Sequence, residues 1–208
     1  VGVTLSDGTT TALDVTWDGG APAYDSGTAG TYAFTGTLSL TAGITNPGIL
    51  TASVNVCVAA ASVPICTIGD VQYITLDEAL AAVRHGDTIK LLTNIDYTTS
   101  TGIEINGKTI TFDLNGYALN ATNLEMSGVG LYIYNGGEIK LEGMGQFNVT
   151  AELYAVAVQG GKVAVTNVTA IGAGGIGCAG VVANGADTVV EVRGDVIAEN
   201  QGRAVFVD

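Results

Sequence analysis

The chain has 208 residues, of which 20 are acidic and 7 are basic, so its formal net charge is −13. A surface this acidic repels phosphate, which argues against a nucleic-acid-binding protein. Because 47% of the residues are hydrophobic and 13% are charged, the chain is not intrinsically disordered. The sequence also has no collagen period and no apolar run long enough for a transmembrane helix.

The first 58 residues read as short strands separated by turns rich in Gly and Asp. Strands are predicted over residues 3–5, 12–17, 30–40 and 50–58. In the last strand one face is apolar, formed by Leu50, Ala52, Val54, Val56 and Val58. This pattern indicates a sandwich or barrel. Trp17 is predicted to anchor its core, with Tyr24, Tyr32 and Phe34 in the core and at its rim.

A linker is predicted over residues 59–67, where the sequence AAASVPICT has no clear periodicity. Cys57 precedes this segment and Cys66 lies within it, so these two residues could form a disulfide. The alternative is that they and Cys178 are three buried thiols. The cysteines do not fit a zinc site, because the chain has no C-x-x-C motif and only one histidine.

A single helix is predicted over about residues 76–85. Thr75 and Glu78 have the spacing of a capping box at its start. Four apolar residues follow at helical spacing: Leu76, Ala79, Leu80 and Val83. Gly86 is expected to end the helix, which places His85 in the last turn, where the helix dipole favours a positive charge. The helix is predicted to cover the first coil of the repeat that follows.

The rest of the chain contains a repeat of about 24 residues. Segments 112–116, 132–136, 156–160 and 181–185 each end in Asn or Gln followed by Gly, and segment 205–208 aligns with them. Further β runs follow the turns, over residues 139–141, 163–165 and 189–192, and weaker ones over 168–171 and 196–198. Two to three short strands in each repeat predict a parallel β-helix, whose stacked turns could also bond through their amides.

Aligning the turns predicts which side chains of the first strand set point inward: Leu114, Tyr134, Val158, Ala183 and Val207. The outward neighbours are then Asp113, Ile133, Ala157, Val182 and Phe206. This outward set has one carboxylate and cannot supply an acid–base pair or a calcium site. Tyr132 and Tyr134 are predicted to lie in the core, and they would form a sugar-stacking platform only if they pointed outward.

The second strand set carries more charge. Its predicted inward residues are Ile139, Leu141, Val163, Val165, Val190 and Val192. Its predicted outward residues are Glu138, Lys140, Glu142, Lys162, Ala164, Glu191 and Arg193. A catalytic cleft would use Glu138 and Glu142 as an acid pair and Arg193 as a base or clamp. We favour a ladder of paired charges on a solvated sheet, because the signs alternate closely.

Two stretches resemble bacterial families. The run V-x-V-x-x-x-D-G-T-T-x-x-L-D-V-T-W-D at residues 1–18, G-T-Y-A-F-T-G-T-L at 30–38 and V-N-V at 54–56 resemble bacterial Ig-like domains. Residues 68–92, followed by I-N-G-K-T-I-T-F-D-L-N-G-Y at 105–117, resemble the opening of pectate-lyase-like right-handed β-helices of Firmicutes surface proteins. The second resemblance implies architecture more than activity, since that fold includes lyases, hydrolases, tailspikes and non-catalytic adhesins.

These features predict an all-β chain with an Ig-like β-sandwich over residues 1–58, the linker over 59–67, and an N-capped right-handed parallel β-helix over 68–208. We expect the β-helix to continue beyond Asp208 or to have its last coil covered by a partner. The leading functional hypothesis is a non-catalytic module of a bacterial cell-surface protein, acting in adhesion or as a rigid stalk. The alternatives are a polysaccharide lyase or glycoside hydrolase, and a glycan-binding accessory module of a larger enzyme.

The expected location is extracellular, at the cell surface or cell wall. The expected partners are a glycan, a host or cell-surface protein, and further domains of the same chain, without nucleic acid, membrane insertion, metal or cofactor. The candidate ligand face consists of Tyr132, Tyr134, Glu138, Lys140, Glu142 and Arg193. Asn120, Asn148 and Asn167 begin Asn-x-Thr sequons, which would matter only in a eukaryotic secretory pathway.

Overall fold

A computed structural model describes residues 1–172, 177–200 and 202–207. The chain divides into two compact units, Val1–Ser62 and Val63–Asp208. Nearly all the regular structure in the described residues is β, as predicted, and it includes one short helix. That helix is too short to cross a membrane.

The first unit is built from antiparallel strands. β1 (Gly2–Thr4) and β2 (Thr10–Ala12) form a hairpin. β3 (Asp14–Trp17), β4 (Gly30–Ser39) and β5 (Thr51–Val58) form a sheet with β4 in the centre. Leu13 and Tyr32 are buried and give the unit a small core. The apolar face predicted for β5 is only partly covered, because Val54 and Val56 remain exposed.

Trp17 is not the core anchor that the sequence predicts. Its side chain is 44% exposed on β3, an edge strand, where it pairs with Gly36 of β4. A Cβ atom on Gly36 would lie 2.9 Å from Cε3 of Trp17, so the indole occupies the space above a residue without a side chain. Tyr32 takes the central position instead. Its ring packs edge-to-face against the ring of Tyr24, with the two centroids 5.1 Å apart, and its hydroxyl donates to the Thr28 carbonyl at 2.7 Å.

The second unit opens with a cap. β6 (Cys66–Ile68) and β7 (Val71–Tyr73) pair antiparallel, and α1 (Leu76–Ala82) follows them. The predicted linker spans the division between the units, and its last two residues lie in β6. The Thr75 hydroxyl accepts a hydrogen bond from the Glu78 amide at 3.2 Å, which confirms the predicted N-cap. The predicted apolar stripe is also confirmed, since Leu76, Ala79 and Val83 are buried and Leu80 packs against the core.

The helix ends three residues before its predicted end. The Lys108 ammonium donates to the carbonyls of Val83 at 3.0 Å and Leu80 at 3.5 Å, so a side chain from the first coil satisfies the helix C-terminus. His85 therefore lies outside α1, and its Nδ1 accepts a hydrogen bond from the Thr109 amide at 3.2 Å. Pairing with the backbone at Thr109 replaces the last predicted turn of the helix.

The remaining strands form a parallel β-solenoid with three sheets. Sheet A contains β10 (Ile103–Asn106), β13 (Val129–Tyr134), β16 (Tyr154–Gln159), β19 (Ala179–Asn184) and β22 (Arg203–Val207). Sheet B contains β8 (Thr88–Leu91), β11 (Thr109–Asp113), β14 (Glu138–Glu142), β17 (Lys162–Val165) and β20 (Val189–Val192), with β6 and β7 added antiparallel at one edge. Sheet C contains β9 (Ile95–Thr98), β12 (Ala118–Asn123), β15 (Gln146–Ala151), β18 (Asn167–Ala170) and β21 (Val196–Ala198).

The register predicted for the first strand set is wrong at Tyr134, predicted inward, and at Ile133, predicted outward, whereas Leu114 is buried as predicted but does not lie in this sheet. The inward column of sheet A consists of Ile105, Ile133, Val158, Ala183 and Val207. Ile133 is fully buried, whereas Tyr132 and Tyr134 are half-exposed and face outward. Asp113 is the last residue of a sheet B strand, and Leu114 follows it directly. The prediction that the two tyrosines lie in the core is therefore corrected.

One residue in a turn explains this error. Asn135 has a φ of 54° and lies in the turn after β13, whereas Gln159 is the last residue of β16 and pairs with Tyr134. Aligning the two amide–Gly pairs therefore shifts β13 by one residue, and a shift of one residue exchanges the two faces of a strand. The Asn115–Gly116 turn follows sheet B rather than sheet A, although it has the same sequence pattern.

The charged strand set has the predicted inward face. Ile139, Leu141, Val163 and Val165 are buried, and Val190 and Val192 pack against the same core. Phe112 and Phe147 are the largest fully buried side chains of the solenoid, with ring centroids 5.4 Å apart. A continuous apolar column therefore runs through the stacked coils.

A ladder of amide side chains connects the coils on the outside of sheet C. The Nδ2 atoms of three residues donate to the coil before: Asn120 to Asp96 at 2.7 Å, Asn148 to Asn120 at 2.8 Å, and Asn167 to Asn148 at 2.8 Å. The Asp195 amide then donates to Asn167 Oδ1 at 3.0 Å. Each bond joins one coil to the next and fixes the register of sheet C. In the turn column, one corresponding bond runs from Asn135 Nδ2 to Asn106 Oδ1 at 2.9 Å.

The structure contains free cysteines in place of the possible disulfide. Cys57 is exposed on β5, whereas Cys66 and Cys178 are buried, so the alternative of three buried thiols is also wrong at Cys57. Burial raises the pKa of the Cys66 thiol to about 11, because it disfavours the thiolate, and the negative charge of Glu78 acts in the same direction.

Replacing Asn148 by alanine is expected to destabilise the solenoid by about 1–3 kcal/mol, because Asn120 and Asn167 both lose a partner on a half-buried surface. Thr150→Val is the matched control, since Thr150 lies on the same strand and face and its hydroxyl has no partner among the described residues. Urea unfolding followed by circular dichroism measures both variants. Equal midpoints for the two variants would contradict the role assigned to the ladder.

Thiol titration with Ellman's reagent at pH 8 is expected to show one reactive thiol in the native protein and three after unfolding. The reason is that only Cys57 is exposed, and thiolate is the reactive form. Cys57→Ser should remove the native reaction and leave the two thiols released by denaturant. Rapid reaction of Cys66 or Cys178 in the native protein would show that the buried core is not closed.

Candidate functional site on the outer faces of the solenoid

The outer surface of sheet A carries aromatic side chains on three of its five strands, β13, β16 and β22. In one column Tyr132 pairs with Ala157, which pairs with Val182, which pairs with Phe206. Tyr134 lies in the neighbouring column and Tyr154 at the start of β16. All four aromatic side chains are half-buried. We refer to Tyr132, Tyr134, Tyr154 and Phe206 as the aromatic face.

Tyr132 and Tyr134 form a stacked pair. Their ring centroids are 4.7 Å apart and the ring planes differ by 21°. The Tyr132 hydroxyl donates to Gln159 Oε1 on the next coil at 2.9 Å. Stacking and this hydrogen bond hold Tyr132 in place before any ligand arrives, which lowers the entropy lost on binding.

A depression of about 450 Å³ lies farther along the same sheet. It is lined by Tyr154, Gly177, Cys178, Ala179, Val182, Asn184, Arg203 and Phe206. The Arg203 guanidinium lies over the Phe206 ring, 5.3 Å from its centroid, and it forms no ion pair with the carboxylates of the described residues. Aromatic walls with an amide and a guanidinium can bind a ligand that has both apolar C–H surface and hydroxyl groups.

The outer surface of sheet B carries the predicted charged residues around a shallow depression of about 340 Å³. Its lining includes Glu138, Lys140, Glu142, Lys162, Glu191 and Arg193. Lys140 Nζ lies 3.8 Å from Glu138 Oε2, and Arg193 Nε lies 2.8 Å from Glu191 Oε1. The Thr109 hydroxyl also donates to Glu138 Oε2 at 3.3 Å. Opposite charges are therefore paired, but each of these two ion pairs joins residues two apart along the chain, so they do not form the expected ladder from coil to coil.

The structure divides the predicted ligand residues between two sheets. Tyr132 and Tyr134 lie on sheet A, whereas Glu138, Lys140, Glu142 and Arg193 lie on sheet B or directly after it. The sequence prediction did not include Tyr154 and Arg203 in the site. The spacing of successive strands in the sequence would have aligned Tyr154 and Arg203 with sheet A. No aromatic column marked the position, however, because the residues that pair with Tyr154, Val129 and Ala179, are not aromatic. No metal-binding cluster of His, Cys, Asp or Glu is present in the described ranges.

Comparison with known proteins supports the assignment of the first unit. A family model for a bacterial Ig-like domain (group 4) matches residues 1–41, which include β1 to β4. Neither the search of curated proteins nor the search of solved structures returns a match. The chain therefore has a bacterial Ig-like domain at its N-terminus and a parallel β-solenoid of about five coils after it.

Proposed function

We propose that this chain is a non-catalytic, glycan-binding module of a bacterial surface protein. The aromatic face is the observation that carries the proposal, because it places four half-exposed rings on the outside of a rigid sheet. The Ig-like match supports an extracellular location, since domains of this family are commonly extracellular. Attachment to the cell surface or cell wall, with a role in adhesion, forms part of the same proposal.

Glycan binding suits the chemistry of this face. The C–H surfaces of a pyranose ring pack against aromatic rings, and its hydroxyls bond to amide and guanidinium groups. Gln159, Asn184 and Arg203 supply those polar groups beside Tyr132, Tyr134 and Tyr154. The proposed ligand is an extracellular oligosaccharide or polysaccharide, carried by a host cell or by a surface glycoprotein.

A carbohydrate-active enzyme is the second candidate, and the depression on sheet B favours it. Its proposed acid pair does not suit glycoside hydrolysis. Glu138 and Glu142 lie at opposite ends of one strand, so their Cα atoms are about 13 Å apart. The catalytic carboxyl groups of glycosidases are about 5–9.5 Å apart, so both glutamate side chains would have to lean toward each other past Lys140, which lies between them on the strand. The geometry therefore favours the non-catalytic proposal.

A glycan array with the intact chain, followed by calorimetry on each hit, tests the proposed function. Tyr134→Ala is expected to weaken binding about 3- to 10-fold, the range for the loss of one aromatic contact. Tyr132→Phe keeps the ring and removes the bond to Gln159, so it should have a smaller effect. Lys140→Ala on sheet B is the control and should bind like the unchanged chain.

A reducing-end assay on the same glycans distinguishes the two candidates. Binding without release of new reducing ends would support the non-catalytic module. Release that disappears in Glu138→Gln would overturn it in favour of an enzyme. Binding that is unaffected by Tyr134→Ala but is lost in Lys140→Ala would move the site to sheet B.

A further inference from the structure

Glu104 is the charged residue of sheet A that lies next to the stacked tyrosines. The strands that follow it in the sheet, β13, β16 and β19, contain no charged residue. On β10, Ile103 and Ile105 are buried and Glu104 between them is exposed, so its carboxylate faces outward with the rings. Glu104 pairs in register with Tyr132, which places their Cα atoms about 4.8 Å apart.

The Glu104 carboxylate forms no ion pair or hydrogen bond with the residues that the structure describes. Arg203 lies on the same sheet, but β22 is four strand spacings from β10, about 19 Å. Four of the seven basic side chains bond to other groups: Lys90, Lys140 and Arg193 on sheet B, and Lys108 at the end of α1. The stacked tyrosines therefore have an unpaired carboxylate beside them.

The surface beside Glu104 is open to a ligand. The Tyr132 ring leans away from β10, because its hydroxyl bonds to the following strand, β16. Asn106 is exposed on β10, and its Oδ1 accepts a hydrogen bond from Asn135. The Asn106 Nδ2 has no partner among the described residues and can donate to a hydroxyl group. A carboxylate, an amide donor and two aromatic rings therefore lie on adjacent strands.

These groups suit a sugar that carries a protonated amine. An ammonium group donates charge-assisted hydrogen bonds to a carboxylate, and the faces of aromatic rings attract it. The C–H surface of the same sugar packs on the tyrosines. Because the net charge of the chain is −13, its field attracts a cationic ligand and repels glycans that carry carboxylate or sulfate groups.

We propose that the aromatic face selects glycans that contain an amino sugar with a free, protonated amine, and that Glu104 determines this selection. The inference rests on the proposed glycan binding and narrows its ligand class to amino sugars without an N-acetyl group. N-acetylation removes the positive charge. The acetylated sugar therefore keeps its contacts with the rings and loses the ion pair with Glu104.

A disaccharide of glucosamine and its N-acetylated form test the proposal, because they share one sugar skeleton and differ in charge. Both are titrated into the intact chain by NMR at pH 6, where the amine is protonated and the carboxylate is ionised. The free amine is expected to bind about 2- to 5-fold more tightly, the range for an exposed ion pair. Glu104→Gln should abolish this preference without changing the affinity for the acetylated form, whereas Tyr134→Ala should weaken the binding of both.

Asp70→Asn is the matched control, since it removes the same charge from the exposed turn between β6 and β7 and should keep the full preference. A preference that both charge variants lose equally would assign it to net charge and overturn the proposal. So would equal binding of the two sugars, binding of neither, or a preference that survives Glu104→Gln.

The glycan array separates this failure from a failure of the proposed function. Array glycans that bind through Tyr134 without any preference for a free amine would overturn this inference alone. Absence of binding to every glycan of the array would overturn both.

Discussion

The structure depends on the register in which each coil stacks on the coil before it. In a parallel sheet every inward side chain meets the equivalent side chain of the next coil, so the core is a set of columns rather than a single cluster. Ile133 and Val158 are buried because they lie in such a column. On sheet C the amide ladder from Asp96 to Asn167 fixes the same register from outside, since its bonds form only when equivalent residues are in line.

This register also determines which residues are free for function. Because the core takes alternate residues of each strand, the others are presented outward at the strand spacing of about 4.8 Å. On sheet A this gives the aromatic face, and on sheet B it gives paired charges. A coil with a neighbour on one side only leaves apolar side chains uncovered. α1 and β6 cover them on the first coil, whereas Val205 and Val207 are exposed on the last described coil.

The architecture was predictable from the sequence because its signals are local. The Thr75 cap, the apolar stripe of α1 and the alternation in the charged strands each depend on spacings within one element. The register of sheet A was not predictable in the same way. It depends on whether Asn135 lies in the turn or in the strand, and Asn–Gly pairs occur after both sheet A and sheet B. The position of Trp17 was missed because its partner, Gly36, becomes its neighbour only through pairing between strands.

The candidate site follows from that register, and accessibility of a cysteine at two adjacent positions measures it most directly. In a chain whose three native cysteines are replaced by alanine, Tyr134→Cys and Ile133→Cys are each treated with a maleimide–polyethylene glycol reagent under native conditions. The structure predicts that Tyr134→Cys reacts readily and that Ile133→Cys is protected until the chain unfolds. Protection at 134 with rapid reaction at 133 would restore the register expected from the turn alignment and remove the aromatic face.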